Sequence, residues 1–242
     1  MTCTRLFAAA AALVASSAAL ADVTSQGIIG QDTLRYYAAD GSATDLAGAS
    51  HAVLDLYIDF SAANTEGYNN EDSFLLNMFN LNVMAYNFDL FHHSDVVGGS
   101  WSPGFSLDIP GLANPVIDSF VTIGGAVGAG AATNATALDP SFGAGQNPDI
   151  FNDNVGWYAA PTAGQGGAVD LETWIGRFVV TGDQARAGAN FDMFGDVGYN
   201  YGDGTGAFFA EDRGGNFHFG IPAPAALALL GPAGLWLRRR RR

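Results

Sequence analysis

The ten residues HAVLDLYIDF, at positions 51–60, indicate the fold more clearly than any other part of the chain. From Leu54 onward, apolar side chains recur at every second position, and Asp55, Tyr57 and Asp59 fall between them. A period of two places alternate side chains on opposite faces of an extended strand. The stretch therefore predicts a β-strand with one buried face and one solvated face.

A second stretch with the same alternation lies at 173–181. It divides into two faces: Trp174, Phe178 and Val180 on one, and Thr173, Arg177 and Thr181 on the other. Because Trp174 shares its face with bulky apolar neighbours, we expect it to lie in the core.

Shorter strand candidates are spread irregularly along the chain. They are an edge strand within 27–46 and strands within 73–90 (with a helix over 74–79 as an alternative), 118–123, 190–194, 197–201 and 207–210. The segments 124–137 and 139–165 are predicted to be loops. The 32 glycines, together with many Asn and Asp residues, favour turns and disfavour long helices. We therefore predict a single all-β domain over 22–220, an antiparallel β-sandwich or jelly roll with long loops.

Residues 1–21 have the composition of a secretory signal peptide. A single arginine precedes an apolar segment at 6–15, and the small residues Ala19 and Ala21 frame a cleavage site. We expect Sec-type export, cleavage by signal peptidase and a mature chain that begins at Asp22.

The last 22 residues, 221–242, contain three parts in a fixed order. A Pro-x-Pro element is followed by a 13-residue apolar run, 225–237, and then by five arginines: Arg238, Arg239, Arg240, Arg241 and Arg242. As a helix the run spans about 20 Å, whereas a bilayer core is about 30 Å thick. The arginines stay on the cytoplasmic side. The run suits a transient inner-membrane helix better than a lasting anchor, with an ordinary short tail anchor as the alternative.

This arrangement resembles the PEP-CTERM sorting signal of Gram-negative bacteria, which exosortase-type transpeptidases process. Pro222, Ala223 and Pro224 occupy the position of the Pro-Glu-Pro motif, and Ala223 departs from it. The resemblance covers only the tail. It implies recognition at the inner membrane, cleavage near the motif, and delivery to the cell surface or extracellular matrix.

The segment between these two ends is strongly acidic. Residues 22–220 keep all 24 Asp and Glu residues but only four arginines and no lysine, so their formal net charge is about −20. Such a surface repels nucleic acid and anionic membranes. It suits solubility outside the cell, divalent cations or basic partners. The only cysteine lies in the signal peptide, so disulfides do not stabilise the body.

Two clusters of oxygen-bearing side chains are candidates for calcium. Asp196, Asn200 and Asp203 are separated by glycines, and Asp149 and Asp153 form a looser group. Neither cluster has the spacing of a known calcium loop. Turn formation by Asp, Asn and Gly explains both clusters without an ion, and no other cofactor is predicted.

The sequence His92-His93-Ser94-Asp95 places two imidazoles and a carboxylate within four residues. Zinc requires three or four ligands at workable spacing, and the other two histidines, His51 and His218, are distant in sequence. We therefore interpret the segment as a solvent-exposed turn rather than a metal site.

Three classes of function remain open. No G-x-S-x-G motif, phosphate loop or dinucleotide fingerprint is present, so we expect a non-enzymatic surface or matrix protein. A carbohydrate-binding module, with or without calcium at the acidic clusters, would use exposed aromatic residues. Trp157 and Tyr158 are better candidates for this role than Trp101 and Trp174, but structural packing is the favoured interpretation of these aromatic residues. An extracellular hydrolase would need two carboxylates facing each other across a cleft.

Overall fold

The computed structural model describes residues 29–38, 43–61, 70–125, 133–140, 155–159, 163–202, 206 and 208–220. In this part of the chain, nine strands form two antiparallel sheets. The strands are β1 Ile29–Tyr37, β2 His51–Asp59, β3 Ser73–Tyr86, β4 Phe120–Val121, β5 Thr136–Leu138, β6 Val155–Ala159, β7 Glu172–Thr181, β8 Asn190–Tyr201 and β9 Phe209–His218. One short helix, α1 (Gly182–Arg186), and three single 3₁₀ turns, Asn70–Asp72, Pro103–Phe105 and Pro115–Ile117, complete the described elements.

The strand order is β1-β2-β7-β4 in the four-stranded sheet and β5-β6-β3-β8-β9 in the five-stranded sheet. Residues of both sheets share one buried apolar cluster, which includes Leu54, Leu56, Ile58, Phe178 and Val180 from the first and Leu75, Met78, Leu81, Phe191 and Met193 from the second. The two sheets thus bury their apolar faces against each other. This arrangement confirms the prediction of an all-β sandwich.

Strand β2 has the predicted alternation, but its outer face is covered at Asp55 rather than solvated. Asp55 is buried, and both of its carboxylate oxygens accept hydrogen bonds from the guanidinium of Arg177 on β7. The same guanidinium donates to the backbone carbonyl of Pro115, at 2.8 Å. Arg35 of β1 also forms an ion pair with Asp55. Asp55 is therefore buried in an ion-pair network, whereas Tyr57 and Asp59 on the same face remain partly exposed.

A β-bulge in β7 makes the prediction for Trp174 wrong. Leu56 of β2 pairs with Gly176 and the next residue of β2, Tyr57, pairs with Trp174, which leaves Ile175 without a partner in the register. The extra residue reverses the alternation. Ile175 consequently faces the core, and the Trp174 ring lies 5.3 Å from the guanidinium of Arg177 on the outer side.

The predicted loop over 139–165 is wrong for its described part, because β6 is a strand of the five-stranded sheet. Trp157 of β6 is buried, and its indole N–H donates to the carbonyl of Thr122 at 2.9 Å. The strand also passes so close to β3 that a Cβ on Gly156 would collide with the backbone of Met78.

The two short strands predicted within 190–201 are one continuous strand, β8, and β9 extends further than predicted.

Helix α1 was not anticipated from the sequence. Thr181 and Gln184 form a capping box at the start of this helix. The Thr181 hydroxyl accepts a hydrogen bond from the backbone N–H of Gln184, and the Gln184 side-chain oxygen accepts one from the backbone N–H of Thr181. None of the helices in the described part of the chain has the length and apolar character needed to cross a membrane. The predicted signal peptide and tail lie outside the described residues.

Candidate functional site

The outer surface of the five-stranded sheet carries a mixed aromatic and polar patch. Its members, here called the Tyr86 face, lie on β3, β8 and β9: Asn82, Met84, Tyr86, Asp192, Phe194 and Asn216. Cross-strand register aligns Met84 with Asp192, and Asp192 with Asn216. Residues directly opposite each other in antiparallel strands share a face. These six side chains therefore form one continuous surface.

Asp192 is the polar centre of the Tyr86 face. Its Oδ2 accepts a hydrogen bond from the Tyr86 hydroxyl at 3.0 Å, and its Oδ1 accepts one from the Asn216 amide at 2.5 Å. The hydrogen bond to Asp192 raises the pKa of Tyr86, as do burial and the carboxylate charge to a smaller extent. Tyr86 thus remains a neutral hydroxyl whose ring orientation is set by Asp192.

Three large apolar side chains surround this polar centre and remain accessible to solvent. Met84 is 48% exposed, Phe194 44% and Tyr86 42%. The Phe194 ring lies against Gly214 of β9, where any side chain would collide with it. The ring is thereby held along the sheet surface. Exposed rings beside fixed hydroxyl, carboxylate and amide groups offer both an apolar contact and hydrogen bonds to a ligand.

A second cluster is buried and is formed by residues of the connection between β3 and β4. His93, Asp95 and Asp118 each contribute one donor atom, and these three atoms lie within 4.8 Å of one another. His93 Nδ1 lies 3.6 Å from Asp118 Oδ1 and 3.8 Å from Asp95 Oδ2, and the three side chains are 0% exposed. The His93 ring also contacts Trp101 edge-on, with 4.7 Å between ring centroids.

Hydrogen bonds hold the two carboxylates, whereas the imidazole has none. Asp95 accepts four backbone N–H groups, two at each oxygen, from Val97, Gly98, Gly99 and Ser100. Burial alone would raise the pKa of Asp95, but these four donors outweigh it and lower the pKa. Asp118 Oδ1 accepts the Ser94 N–H at 2.7 Å. Asp118 Oδ2 and both ring nitrogens of His93 have no hydrogen-bond partner among the described residues.

His51 and His92 form a ring pair beside this cluster, with centroids 4.3 Å apart. Burial, and secondarily the charge of His92, lower the pKa of His51 to about 4. Burial also lowers the pKa of His92, while Asp118 partly opposes the effect. Both rings are therefore neutral near pH 7. His51 is remote from His92 in sequence, but the fold places the two side by side.

The prediction of a solvent-exposed turn at His92-His93-Ser94-Asp95 is wrong, because His93 and Asp95 are buried. The segment is joined to β7 by a backbone hydrogen bond from the His92 N–H to the Val179 carbonyl. Asp118 is the member of the cluster that sequence reasoning missed. No ligand spacing marks it, and its position two residues before the apolar strand β4 is the only signal in the sequence.

The calcium candidates do not converge on one ion in the described part of the chain. Asp196 and Asn200 lie on the single strand β8, so about 13 Å of extended backbone separates them at about 3.3 Å per residue. Asp196 instead accepts from the Asn80 amide at 2.6 Å. The calcium-loop hypothesis is therefore wrong for this pair. Asp203, Asp149 and Asp153 lie outside the described residues.

The aromatic residues singled out from the sequence do not form a common platform. Trp101 and Trp157 are buried in the core, and Trp174 packs against Arg177. Tyr158 is 50% exposed and faces outward from β6. The hypothesis that Trp157 and Tyr158 together bind a ligand is wrong, because adjacent residues of a strand point to opposite faces.

One surface depression of the described residues is a candidate for a hydrolase cleft. It has a volume of about 320 Å³ and is lined by Glu71, Asp72, Ser73, Phe74, Gly164, Gly167 and Ala168. Its two carboxylates are neighbours on one 3₁₀ turn, and the lining from 164–168 contributes none. A glycosidase requires carboxylates on both sides of the scissile bond. This depression does not provide that arrangement from the described residues.

No protein-family model, no curated protein and no solved structure matches the chain. The residues with an expected role in processing, Ala19, Ala21, Pro222, Ala223, Pro224 and Arg238 to Arg242, lie outside the described part of the chain. Their roles stay predictions.

Proposed function

We propose that this chain is a non-enzymatic protein that is exported, sorted by an exosortase-type transpeptidase, and delivered to the cell surface or extracellular matrix. The observation that carries the proposal is the order of its parts. An export signal precedes a nearly cation-free body, and a Pro-x-Pro element, an apolar run and five arginines follow it. The high negative charge of the body favours solubility and repels anionic membrane surfaces.

Four carboxylates of the described residues are already engaged or buried, which supports a non-enzymatic role. Asp55 is neutralised by arginine, and Asp95 and Asp118 are buried. Asp192 is engaged by Tyr86 and Asn216. None of these four carboxylates faces another across an open cleft, which a polysaccharide hydrolase would require.

Sorting can be tested by replacing the arginines at 238–242 with serine. In a Gram-negative host that contains an exosortase, we expect the original chain at the cell surface or in the medium. The variant should lose the cytoplasmic anchor that presents the motif to the transpeptidase, so it should accumulate with an intact C-terminus. A host that lacks the exosortase is the matched control. An unchanged distribution in both tests would contradict exosortase sorting.

The Tyr86 face favours carbohydrate binding as a second candidate function. Tyr86 and Phe194 offer exposed rings, and Asp192 and Asn216 offer fixed polar groups between them. The net charge of the body, about −20, disfavours acidic sugars. We therefore expect neutral polysaccharides to bind this face.

Affinity electrophoresis with dextran and a soluble β-glucan, and with alginate as an acidic polymer, tests this second function. We expect at least one neutral polymer to retard the exported protein, and Tyr86→Ala or Phe194→Ala to abolish the retardation. Tyr158→Ala is a matched control, because Tyr158 is exposed on the same sheet but pairs with Asn77, about nine residues along β3 from Tyr86. Equal loss in all three variants, or no retardation by any neutral polymer, would contradict it.

A further inference from the structure

We propose that His93, Asp95 and Asp118 bind one divalent transition-metal ion of the zinc class. The proposal is independent of export, sorting and carbohydrate binding. It assigns a role to the buried polar cluster that none of those functions uses.

The first observation is the state of the imidazole. The His93 side chain is 0% exposed, and neither ring nitrogen has a hydrogen-bond partner among the described residues. Buried polar groups in proteins are almost always satisfied by a hydrogen bond or by a metal. Since Nδ1 lies 3.6 Å and 3.8 Å from oxygens of two carboxylates, a cation between the three groups would satisfy this nitrogen.

The second observation is the charge of the cluster. Asp95 and Asp118 bring two carboxylates into a site without solvent contact, and no arginine is paired with either of them among the described ion pairs. Four backbone N–H groups favour the ionised form of Asp95. A divalent cation would neutralise both carboxylates while leaving the imidazole neutral, the form in which it binds metals.

The geometry fits a small tetrahedral ion. Zinc binds nitrogen and oxygen ligands at about 2.0–2.2 Å, which places tetrahedral donors about 3.4 Å apart. The separations from His93 Nδ1 are 3.6 Å to Asp118 and 3.8 Å to Asp95, which are close to this value, and all three donor atoms lie within 4.8 Å of one another. Asp118 also offers Oδ2, which has no described partner.

The backbone already orients the two acidic ligands. Gly99 and Ser100 donate to Asp95 Oδ2, and Ser94 donates to Asp118 Oδ1. Carboxylates that bind metals are usually fixed by hydrogen bonds of this kind. None of the three candidate ligands lies on a strand or helix. All three lie in the connection between β3 and β4, so a bound ion would join the first part of this connection to its last residues.

The donor set favours zinc over calcium. Calcium takes six to eight oxygen ligands, whereas imidazole nitrogen suits zinc and its first-row neighbours. This site is also distinct from the acidic clusters expected from the sequence, because neither Asp196 nor Asn200 belongs to it.

The test is a zinc titration of the exported protein after dialysis against a chelator, followed by calorimetry and thermal melting. We expect about one zinc per chain and a higher melting temperature, because an ion that binds only the native state stabilises it. Calcium at the same concentration should leave the melting temperature unchanged. Absence of a zinc response in the folded protein would overturn the proposal.

Asp118→Asn keeps the shape of the side chain and removes its charge, and Asp192→Asn on the Tyr86 face is the matched control. We expect zinc affinity to fall at least tenfold in the first variant and to remain unchanged in the second. Equal affinity in both variants would overturn the assignment. If Asp118→Asn does not fold, the absorption spectrum of the cobalt-loaded original protein decides: tetrahedral bands support the site, and octahedral aqua-like bands overturn it.

Discussion

Arg177 donates to both carboxylate oxygens of Asp55, from Nε to Oδ1 at 2.7 Å and from a terminal nitrogen to Oδ2 at 2.9 Å. This pair joins β7 to β2 beneath the outer surface of the four-stranded sheet, and both residues are buried. Removal of one partner of a buried pair leaves the other charge uncompensated. The pair therefore controls the stability of this sheet more than any exposed ion pair does.

We predict that Asp55→Ala lowers the free energy of unfolding by about 3–5 kcal/mol. The control is Asp183→Ala, because the ion pair of Asp183 with Arg186 is largely exposed and should contribute about 1 kcal/mol or less. Urea unfolding of both variants measures the difference. Similar losses in the two variants would show that the Asp55 pair is not desolvated as described.

We predict that Gly156→Ala destabilises the five-stranded sheet by about 1–3 kcal/mol. A Cβ at this position would collide with the backbone of Met78 and Phe79, which cannot move without separating β6 from β3. Gly48→Ala is the control, since its Cβ would meet only an ordinary contact at 3.6 Å from Asp45. Thermal melting compares the two, and an unchanged melting temperature for Gly156→Ala would argue against the close strand approach.

We predict that His51 makes the protein less stable as the pH falls from about 6.5 to 4. Its pKa is lowered to about 4 in the folded chain from an ordinary value of 6.5, so within this window the unfolded chain binds a proton that the folded chain does not. The contribution is fully present above pH 6.5 and is lost as the pH approaches 4. Because the ring is partly exposed, we expect about 1–2 kcal/mol after allowance for solvent screening.

Urea unfolding of the original chain and of His51→Gln at pH 7.5 and pH 4.5 measures this contribution. Other groups also titrate in this range, so the informative quantity is the difference between the two chains. The original chain should lose about 1–2 kcal/mol more than the variant. Equal losses would mean that His51 titrates in the folded chain as it does in the unfolded chain.

The sequence was sufficient for the fold class because the alternation in 51–60 is a local property. Leu54, Leu56 and Ile58 are buried as the period of two predicts. The pattern cannot show what covers the opposite face, and the burial of Asp55 by Arg177 depends on a strand that begins more than 100 residues later. Likewise, the bulge at Ile175 depends on the register between two strands, so the inversion of Trp174 has no local signal.

Neither candidate site could be assembled from the sequence alone. The Tyr86 face draws on three strands, and its composition becomes visible only after Met84, Asp192 and Asn216 are aligned by their register. His93 and Asp95 stand in one short motif of the sequence, but their burial depends on the folded chain, in which the His93 ring contacts Trp101. Asp118 belongs to a separate segment and approaches His93 only in the folded chain.

The central claim, that the chain is exported and processed at both ends, is tested most directly by intact-mass spectrometry of the protein recovered from the cell surface or medium. We expect a chain that begins at Asp22 and has lost the arginines at 238–242, with its C-terminus near Pro222 to Pro224. Recovery of an exported chain that still ends in Arg242 would contradict the processing of the tail and the sorting route inferred from it.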